Sequence, residues 1–261
     1  MHEFLTNWAD FEPSNEANLL TGDELLLKPD VLRRHVVLHH SWDNFVGQEE
    51  FGHRDNRLHL SLLPQPFFGD VARARVVILT LNPGLHPIDY YAEFCVREYK
   101  QAALDSLRRQ FNPKYPFIWF DPRFSWHSGF SYWHGRFAGL VNKFAVDLGI
   151  RRAKALSFFA KSVATLELLP YHSKSFGLPR RIMNKLPSVR LARSFVSDVL
   201  EPRAQSGEVQ LVVTRKAKLW GLSENRKTIV YKGSESRGAY LTPQSRGGKA
   251  ILKQLKALWP E

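Results

Sequence analysis

The segment ARVVILTLNPG, residues 74–84, decides the fold. Its centre is a run of apolar and β-branched residues, and Asn82-Pro83-Gly84 follows at once. An unbroken apolar run predicts a strand buried on both faces, as in parallel sheets. Asn-Pro-Gly predicts a tight loop at the end of that strand. Since open α/β proteins bind ligands at the carboxyl ends of their strands, we expect Asn82 to lie in a ligand loop.

Similar apolar runs alternate with segments of helical spacing along the rest of the chain. We expect further strands at 162–169, 209–215 and 227–232, and helices at 88–109, 132–148 and 247–259. The segment 63–70, LPQPFFGD, is typical of a turn, and FIWF at 117–120 is either a short strand or a core segment. This alternation predicts an α/β fold, a three-layer α/β/α sandwich around a mostly parallel four-stranded sheet.

The length of 261 residues suits one globular core. We expect residues 63–261 to form the catalytic domain, with residues 1–62 as an amino-terminal extension packed on its core. Within that extension, residues 31–39 are expected to form a helix or an edge strand.

The chain carries 37 Lys and Arg against 25 Asp and Glu, a formal net charge of +12, and the excess lies from Arg151 onward. Basic surfaces bind phosphate-bearing partners by releasing condensed counterions. A basic, solvated surface explains the same composition, so both interpretations stay open.

Cys95 is the single cysteine, which excludes an internal disulfide and any four-cysteine metal site. The amino terminus is acidic and no apolar run approaches 18 residues, so we expect a cytoplasmic protein without a membrane partner, and a monomer. His39, His40 and His172 are too scattered to predict a metal site, and we expect no cofactor.

The stretch VVILTLNPGL resembles the first motif of the uracil-DNA glycosylase superfamily, and its Asn-Pro-Gly resembles that of the mismatch-specific branch. The resemblance places Asn82 at the catalytic position. Glu167-Leu168-Leu169-Pro170 resembles the strand end where family members read the base, although they carry Asn where this chain has Glu167. The stretch 235–248 lies where the family has its second motif, but the usual His is absent. The resemblance covers about residues 63–258 and implies a uracil-DNA glycosylase-like fold.

Cleavage of an N-glycosidic bond requires a positioned water and stabilisation of the departing base. The amide of Asn82 can orient water but is a poor general base. Asp89, seven residues on, is either that base or a carboxylate that caps a helix.

A base in a duplex must be flipped into a pocket and stacked on an aromatic ring. Phe94 follows Asn82 at the spacing where the family places its stacking aromatic, with Tyr90 and Tyr91 as the alternatives. Any of the three can instead be core.

Glu167 predicts the kind of base. An ionised carboxylate only accepts hydrogen bonds, and cytosine presents an exocyclic amine where uracil presents an oxygen. We therefore expect a cytosine derivative, unless Glu167 is simply an exposed residue at a strand end.

The segment 124–134, FSWHSGFSYWH, combines aromatic, His and Ser side chains that suit a sugar. With Asn82 and Glu167, it is similar to bacterial anti-phage glycosylases that remove glucosylated 5-hydroxymethylcytosine from phage DNA. Trp126, His127 and His172 complete the expected base-binding set, although aromatic clusters are often plain core.

The expected DNA contacts are basic or polar residues after the third strand and in the last loop: Arg215, Lys216, Lys218, Arg237, Tyr240, Gln244 and Arg246. Tyr240, Leu241 and Gln244 would fill the space left by the flipped base. The chain thus predicts a metal-free, monofunctional DNA glycosylase. A uracil or mismatch repair glycosylase, and a catalytically silent DNA-binding module, are the alternatives.

Overall fold

The computed structural model describes residues 1–48 and 55–259. It is a mixed α/β structure whose main sheet has five strands and is mostly parallel. A separate pair of short parallel strands, β1 and β2, joins Val36 to Leu58 and Val37 to His59. The strands are β1 (Val36–Val37), β2 (Leu58–His59), β3 (Phe67–Phe68), β4 (Val76–Thr80), β5 (Val163–Glu167), β6 (Gln210–Val213) and β7 (Thr228–Val230).

The main sheet has the strand order β3-β5-β4-β6-β7. β4 is parallel to β6, and β6 to β7, while β3 is antiparallel to β5. β5 runs in the same direction as β4, because Arg75 N–H donates to Ser162 at one end and the Thr80 hydroxyl donates to Leu166 at the other. β4 is buried along its whole length, as its unbroken apolar sequence predicts.

The four expected strands are therefore present, but the expectation of a four-stranded sheet was wrong by one strand. The segment interpreted as a turn forms β3, a two-residue strand at the edge, directly after Pro66. Proline lacks the N–H that a ladder needs, so it is tolerated at a strand start or edge. Gly69 then turns the chain away with a φ of +78°, where an added Cβ would lie 2.6 Å from the Val163 carbonyl oxygen.

Helices connect the strands. They are α1 (Glu3–Ala9), α2 (Pro29–Leu32), α3 (Trp42–Val46), α4 (Pro87–Cys95), α5 (Arg97–Leu107), α6 (Ser128–Asp147), α7 (Arg152–Ser162), α8 (Arg180–Met183), α9 (Pro187–Phe195), α10 (Glu201–Gln205), α11 (Ala217–Trp220), α12 (Gly233–Gly238) and α13 (Arg246–Lys256). Short 3₁₀ turns lie at Asp23–Leu25, Ile118–Phe120 and Pro122–Phe124, and a π-helical turn at Val196–Leu200.

Three of these elements refine the sequence-based expectations. The helix expected over 88–109 is two helices, because Val96 adopts an extended conformation between α4 and α5. FIWF is a core segment, since Ile118–Phe120 forms a buried 3₁₀ turn. The segment 31–39 contains the end of α2 and the strand β1.

The chain divides into two compact units of interleaved segments. Unit 1 comprises Met1–Pro66, Asn82–Gln110 and Glu167–Phe195, and unit 2 comprises Phe67–Leu81, Phe111–Leu166 and Val196–Glu261. Unit 1 packs α1 on α9, where the rings of Phe4 and Phe195 stack at 5.0 Å. Unit 2 contains the main sheet apart from the last residue of β5. The expected boundary between residues 62 and 63 stays a prediction.

Candidate functional site

Asn82 lies two residues beyond the end of β4, in the loop that leads to α4. It is half-buried. Its Nδ2 donates to the Pro83 carbonyl at 2.8 Å and to the Ser173 hydroxyl at 2.9 Å, with the Tyr171 carbonyl at 3.5 Å. A carbonyl oxygen can only accept, so the NH₂ side of the amide must face this group. Oδ1 consequently points away from it, where it can accept a hydrogen bond from a water or a ligand.

The segment 171–173 holds the whole Asn-Pro-Gly loop. Besides the bonds to Asn82, Ser173 N–H donates to the Pro83 carbonyl at 3.2 Å. His172 Nδ1 lies 2.9 Å from the Gly84 carbonyl and must carry the proton there. Burial lowers the pKa of His172 to about 4, so this side chain is neutral at pH 7. We name residues 171–173 the loop strap.

His172, expected to contact the base, is 1% exposed and holds Gly84 through Nδ1. Its observed contact therefore shapes the loop. Ser173 and Tyr171 were missed at the sequence level. The polar ending Tyr-His-Ser directly after the second long apolar run was the available signal.

Glu167 is the last residue of β5, the strand beside β4. Its side chain is 4% exposed, and its N–H donates to the Pro66 carbonyl at 2.8 Å. The alternative of an exposed residue at a strand end is thus wrong. The hydrogen bond from Thr80 Oγ1 to the Leu166 carbonyl, 3.2 Å long, joins the end of β4 to the end of β5.

Asp89 lies in the first turn of α4 and is buried. Its Oδ2 accepts the N–H of His86 at 2.6 Å, while the His86 ring accepts the N–H of Ile88 at 3.2 Å. This reciprocal cap is the helix-start role considered for Asp89. Burial also raises the pKa of Asp89 to about 7, which is the range that suits a general base. The geometry therefore shows the cap, and the basic role stays a prediction.

The candidates for stacking differ in exposure. Tyr90 is fully buried, stacks on Phe45 at 4.0 Å, and bonds to His59 Nδ1 through its hydroxyl, so it is core. Phe94 stacks on Tyr90 at 5.9 Å and is 37% exposed. It lies at the outer end of the stacked rings of Phe45, Tyr90 and Phe94. Tyr91 is 41% exposed and contacts Trp42 edge to face. Phe94 and Tyr91 remain as candidates.

The aromatic segment 124–134 belongs to unit 2, and much of it is core. Phe124 and Trp133 are buried. His127 is 1% exposed, caps α6 by accepting the Gly129 N–H at 3.0 Å, and stacks on Trp119. Trp126 and Tyr132 are 41% and 43% exposed, and they are the exposed aromatic rings of this segment.

The expected DNA contacts also belong to unit 2. Arg215, Lys216, Lys218 and Arg237 are exposed, and within residues 1–48 and 55–259 none of them forms an ion pair. Lys216 has a left-handed conformation, with a φ of 51°, at the start of α11. Gln244 is exposed as well.

Arg246 has a different environment. Its guanidinium forms ion pairs with Glu224 and Glu235 and donates to the Val230 carbonyl at 2.8 Å. Arg246 thus stabilises the start of α13 through contacts with residues of this chain, although its side chain is 44% exposed. A phosphate contact would compete with both carboxylates.

Tyr240 is 67% exposed and projects from the loop before α13, whereas Leu241 beside it is 1% exposed. Only Tyr240 of this pair is available to fill a gap in a base stack. Arg136 donates to the Gly238 and Ala239 carbonyls at 3.0 and 2.5 Å, and its guanidinium lies 4.2 Å from the Tyr132 ring and 5.9 Å from the Tyr240 ring. This arrangement fixes the loop beneath Tyr240 and groups two exposed aromatic rings around a cation.

Among residues 1–48 and 55–259 there is no helix long and apolar enough to cross a membrane. The same residues contain no group of three or more His, Cys, Asp or Glu side chains arranged to hold a metal ion.

Comparisons with protein-family models, with curated proteins and with solved structures found no match.

Proposed function

We propose that this protein is a monofunctional DNA glycosylase, a hydrolase of N-glycosyl bonds that acts on a flipped base. The observation that carries the proposal is the fixed amide of Asn82 at the end of β4. β5, the next strand of the sheet along the chain, lies on one side of β4, and β6, the strand after that, lies on the other side. The end of β4 is therefore a topological switch point. Ligands of open α/β sheets bind outside such a point. The finer fold assignment, a three-layer sandwich of the uracil-DNA glycosylase type, is part of this proposal.

The roles follow from chemistry. Asn82 Oδ1 accepts a hydrogen bond from water and orients that water toward the sugar carbon, while Phe94 or Tyr91 stacks on the flipped base. Glu167, buried at the neighbouring strand end, accepts from an exocyclic amine. Exposed cations contact phosphates without reading sequence.

The narrower proposal concerns the substrate. Because Glu167 favours an amine over a carbonyl, the base is a cytosine derivative. We take glucosylated 5-hydroxymethylcytosine in phage DNA as that derivative, which is the substrate that the resemblance of the sequence implies. Anti-phage defence is the corresponding biological role.

The test is a panel of duplexes that differ in one base: cytosine, uracil, 5-hydroxymethylcytosine or its glucosylated form. Alkali-labile sites are measured after incubation with the wild type and with Asn82→Ala as the control for contamination. We expect release of the glucosylated base by the wild type alone. Release of uracil alone identifies a repair glycosylase, and tight DNA binding without release of any base identifies a silent binding module.

A further inference from the structure

The amino-terminal segment bonds to the loop strap through a buried pair, Asp23 and Tyr171. Asp23 is 0% exposed, and its Oδ2 accepts the Tyr171 hydroxyl hydrogen at 2.5 Å. Its Oδ1 accepts the N–H of Ser188 at 3.1 Å. The Tyr171 hydroxyl in turn accepts the N–H of Leu20 at 3.1 Å. Three distant parts of unit 1, represented by Asp23, Tyr171 and Ser188, are thus joined through the carboxylate of Asp23.

The same tyrosine belongs to the strap that fixes the Asn-Pro-Gly loop. Each of the three strap residues bonds to that loop, Tyr171 and Ser173 to the Asn82 amide and His172 to the Gly84 carbonyl. The side chain of Tyr171 points to Asp23 and its carbonyl to Asn82. A displacement of Tyr171 therefore moves the acceptors that orient the amide.

We propose that Asp23 and Tyr171 are positioning residues for Asn82, and that orientation of this amide is a function of the amino-terminal segment. The proposal rests on the function proposed above for its catalytic consequence. The terminal torsion of an asparagine side chain has a broad energy minimum, so an asparagine that orients water needs fixed acceptors. The Asp23–Tyr171 bond supplies that rigidity from behind the loop. Neither residue needs to contact DNA.

The first arm of the experiment measures the amide itself, without DNA. The side-chain NH₂ signals of Asn82 are recorded by NMR on protein labelled with ¹⁵N-asparagine, and are assigned by their loss in Asn82→Ala. We expect separate, exchange-protected signals in the wild type. In Tyr171→Phe and in Ser173→Ala these signals shift and lose protection. Tyr99→Phe is the matched control, because it removes an equally buried hydroxyl of unit 1 that lies 3.4 Å from the Gln65 side chain.

The second arm measures base release and DNA binding in the same variants. Misplacement of a catalytic group by about 1 Å lowers rates by up to about 100-fold. We expect Tyr171→Phe to lower the single-turnover rate about 10- to 100-fold with DNA affinity within about threefold, and Tyr99→Phe to change neither. If Tyr171→Phe does not fold by thermal melting, Asp23→Asn, which keeps the tyrosine ring in place, is measured with the same expectations.

The two arms separate the failure of this inference from the failure of the proposed function. Unchanged Asn82 signals in Tyr171→Phe overturn the positioning role, whatever the activity. If the Asn82 signals change in Tyr171→Phe but the wild type releases no base, the positioning role is retained and the glycosylase is rejected. An equal loss of rate in Tyr171→Phe and Tyr99→Phe also overturns it, since a general loss of rigidity then explains both.

Discussion

Replacement of Asp89 by Asn is expected to change how the stability of the protein depends on pH. Burial raises the pKa of Asp89 from 3.8 to about 7, so the folded state binds this proton more tightly than the unfolded state does. The stabilising contribution of the protonated carboxyl is complete below about pH 3.8. It is lost as the pH rises from about 4 to 7, because the folded protein must then hold a buried charge.

The magnitude follows from the shift. Three pKa units correspond to about 4 kcal/mol of unfolding free energy, at about 1.4 kcal/mol per unit. Asparagine carries no charge, and its Oδ1 can still accept the His86 N–H, so the cap of α4 is retained. Asp89→Asn should therefore equal the wild type near pH 4 and exceed its stability by up to about 4 kcal/mol above pH 7.

The assay is urea unfolding at half-unit intervals from about pH 4 to about pH 8.5. Asp43→Asn is the control, because Asp43 is an exposed carboxylate in the first turn of α3 and reports the effect of charge at a helix start alone. Glu93→Gln removes another buried carboxyl of α4, one that accepts the Leu63 N–H at 2.7 Å and whose pKa is also raised by burial. It should leave in place the loss of stability that Asp89 causes between about pH 4 and 7. Parallel stability curves for the wild type and Asp89→Asn over this range refute the reasoning.

Base release separates the two roles of Asp89 once stability is known. A general base must be ionised. If Asp89 is that base, activity falls below about pH 7 in the wild type, where the carboxyl becomes protonated, and is absent in Asp89→Asn. A cap alone predicts that Asp89→Asn retains the wild-type rate at pH 7.5. Either result decides whether the carboxylate of Asp89 is a general base or only a helix cap.

Three further outcomes test the site. Asn82→Ala should abolish base release while DNA affinity changes only a few-fold, and a loss of binding at an unchanged rate would reverse this role. Arg215→Glu should weaken binding to all sequences alike and flatten the dependence on salt, as measured by fluorescence anisotropy; a changed base preference at the same salt slope would contradict a phosphate contact. Glu167→Gln should move the ratio of single-turnover rates from modified cytosine toward uracil by about 10- to 100-fold, and an unchanged ratio would exclude Glu167 as the base reader.

The apolar pattern predicted the strands because burial on both faces leaves a strong local signal. β4, β5, β6 and β7 each lie within a run recognised from the sequence. β3 was missed because a two-residue edge strand after proline has too few residues to show a period. The break at Val96 was missed because the residue joins two helices without a proline or glycine.

From the sequence, we could choose candidate site residues only where a chemically suitable residue lies at or just after the end of a predicted strand. Asn82 lies two residues after the end of β4, and Glu167 is the last residue of β5. Ser173, which accepts from the Asn82 amide, is 91 residues away in sequence, and Asp23 is 148 residues from Tyr171. Such long-range hydrogen bonds have no counterpart in local patterns.

The net charge of the chain does not show which basic residues are available to bind a partner. Arg215 and Arg246 contribute equally to the net charge, yet Arg215 is exposed without an ion pair among the described residues and Arg246 pairs with Glu224 and Glu235. A substitution of Arg246 would break two ion pairs at the start of α13, so its effect on binding does not isolate a phosphate contact. Arg215 is the better probe.

The fixed amide also limits the chemistry that Asn82 can perform. Its NH₂ group is occupied by protein acceptors, so only Oδ1 can act on a water, and an amide oxygen does not remove a proton at neutral pH. The proton of the attacking water must therefore pass to another group or be released to solvent after bond cleavage. If Asp89 takes it, the rate follows the ionisation of that buried carboxyl near pH 7. If no group takes it, the rate depends on how well the base leaves, and substrates with stronger electron withdrawal at the base should react faster in the same site.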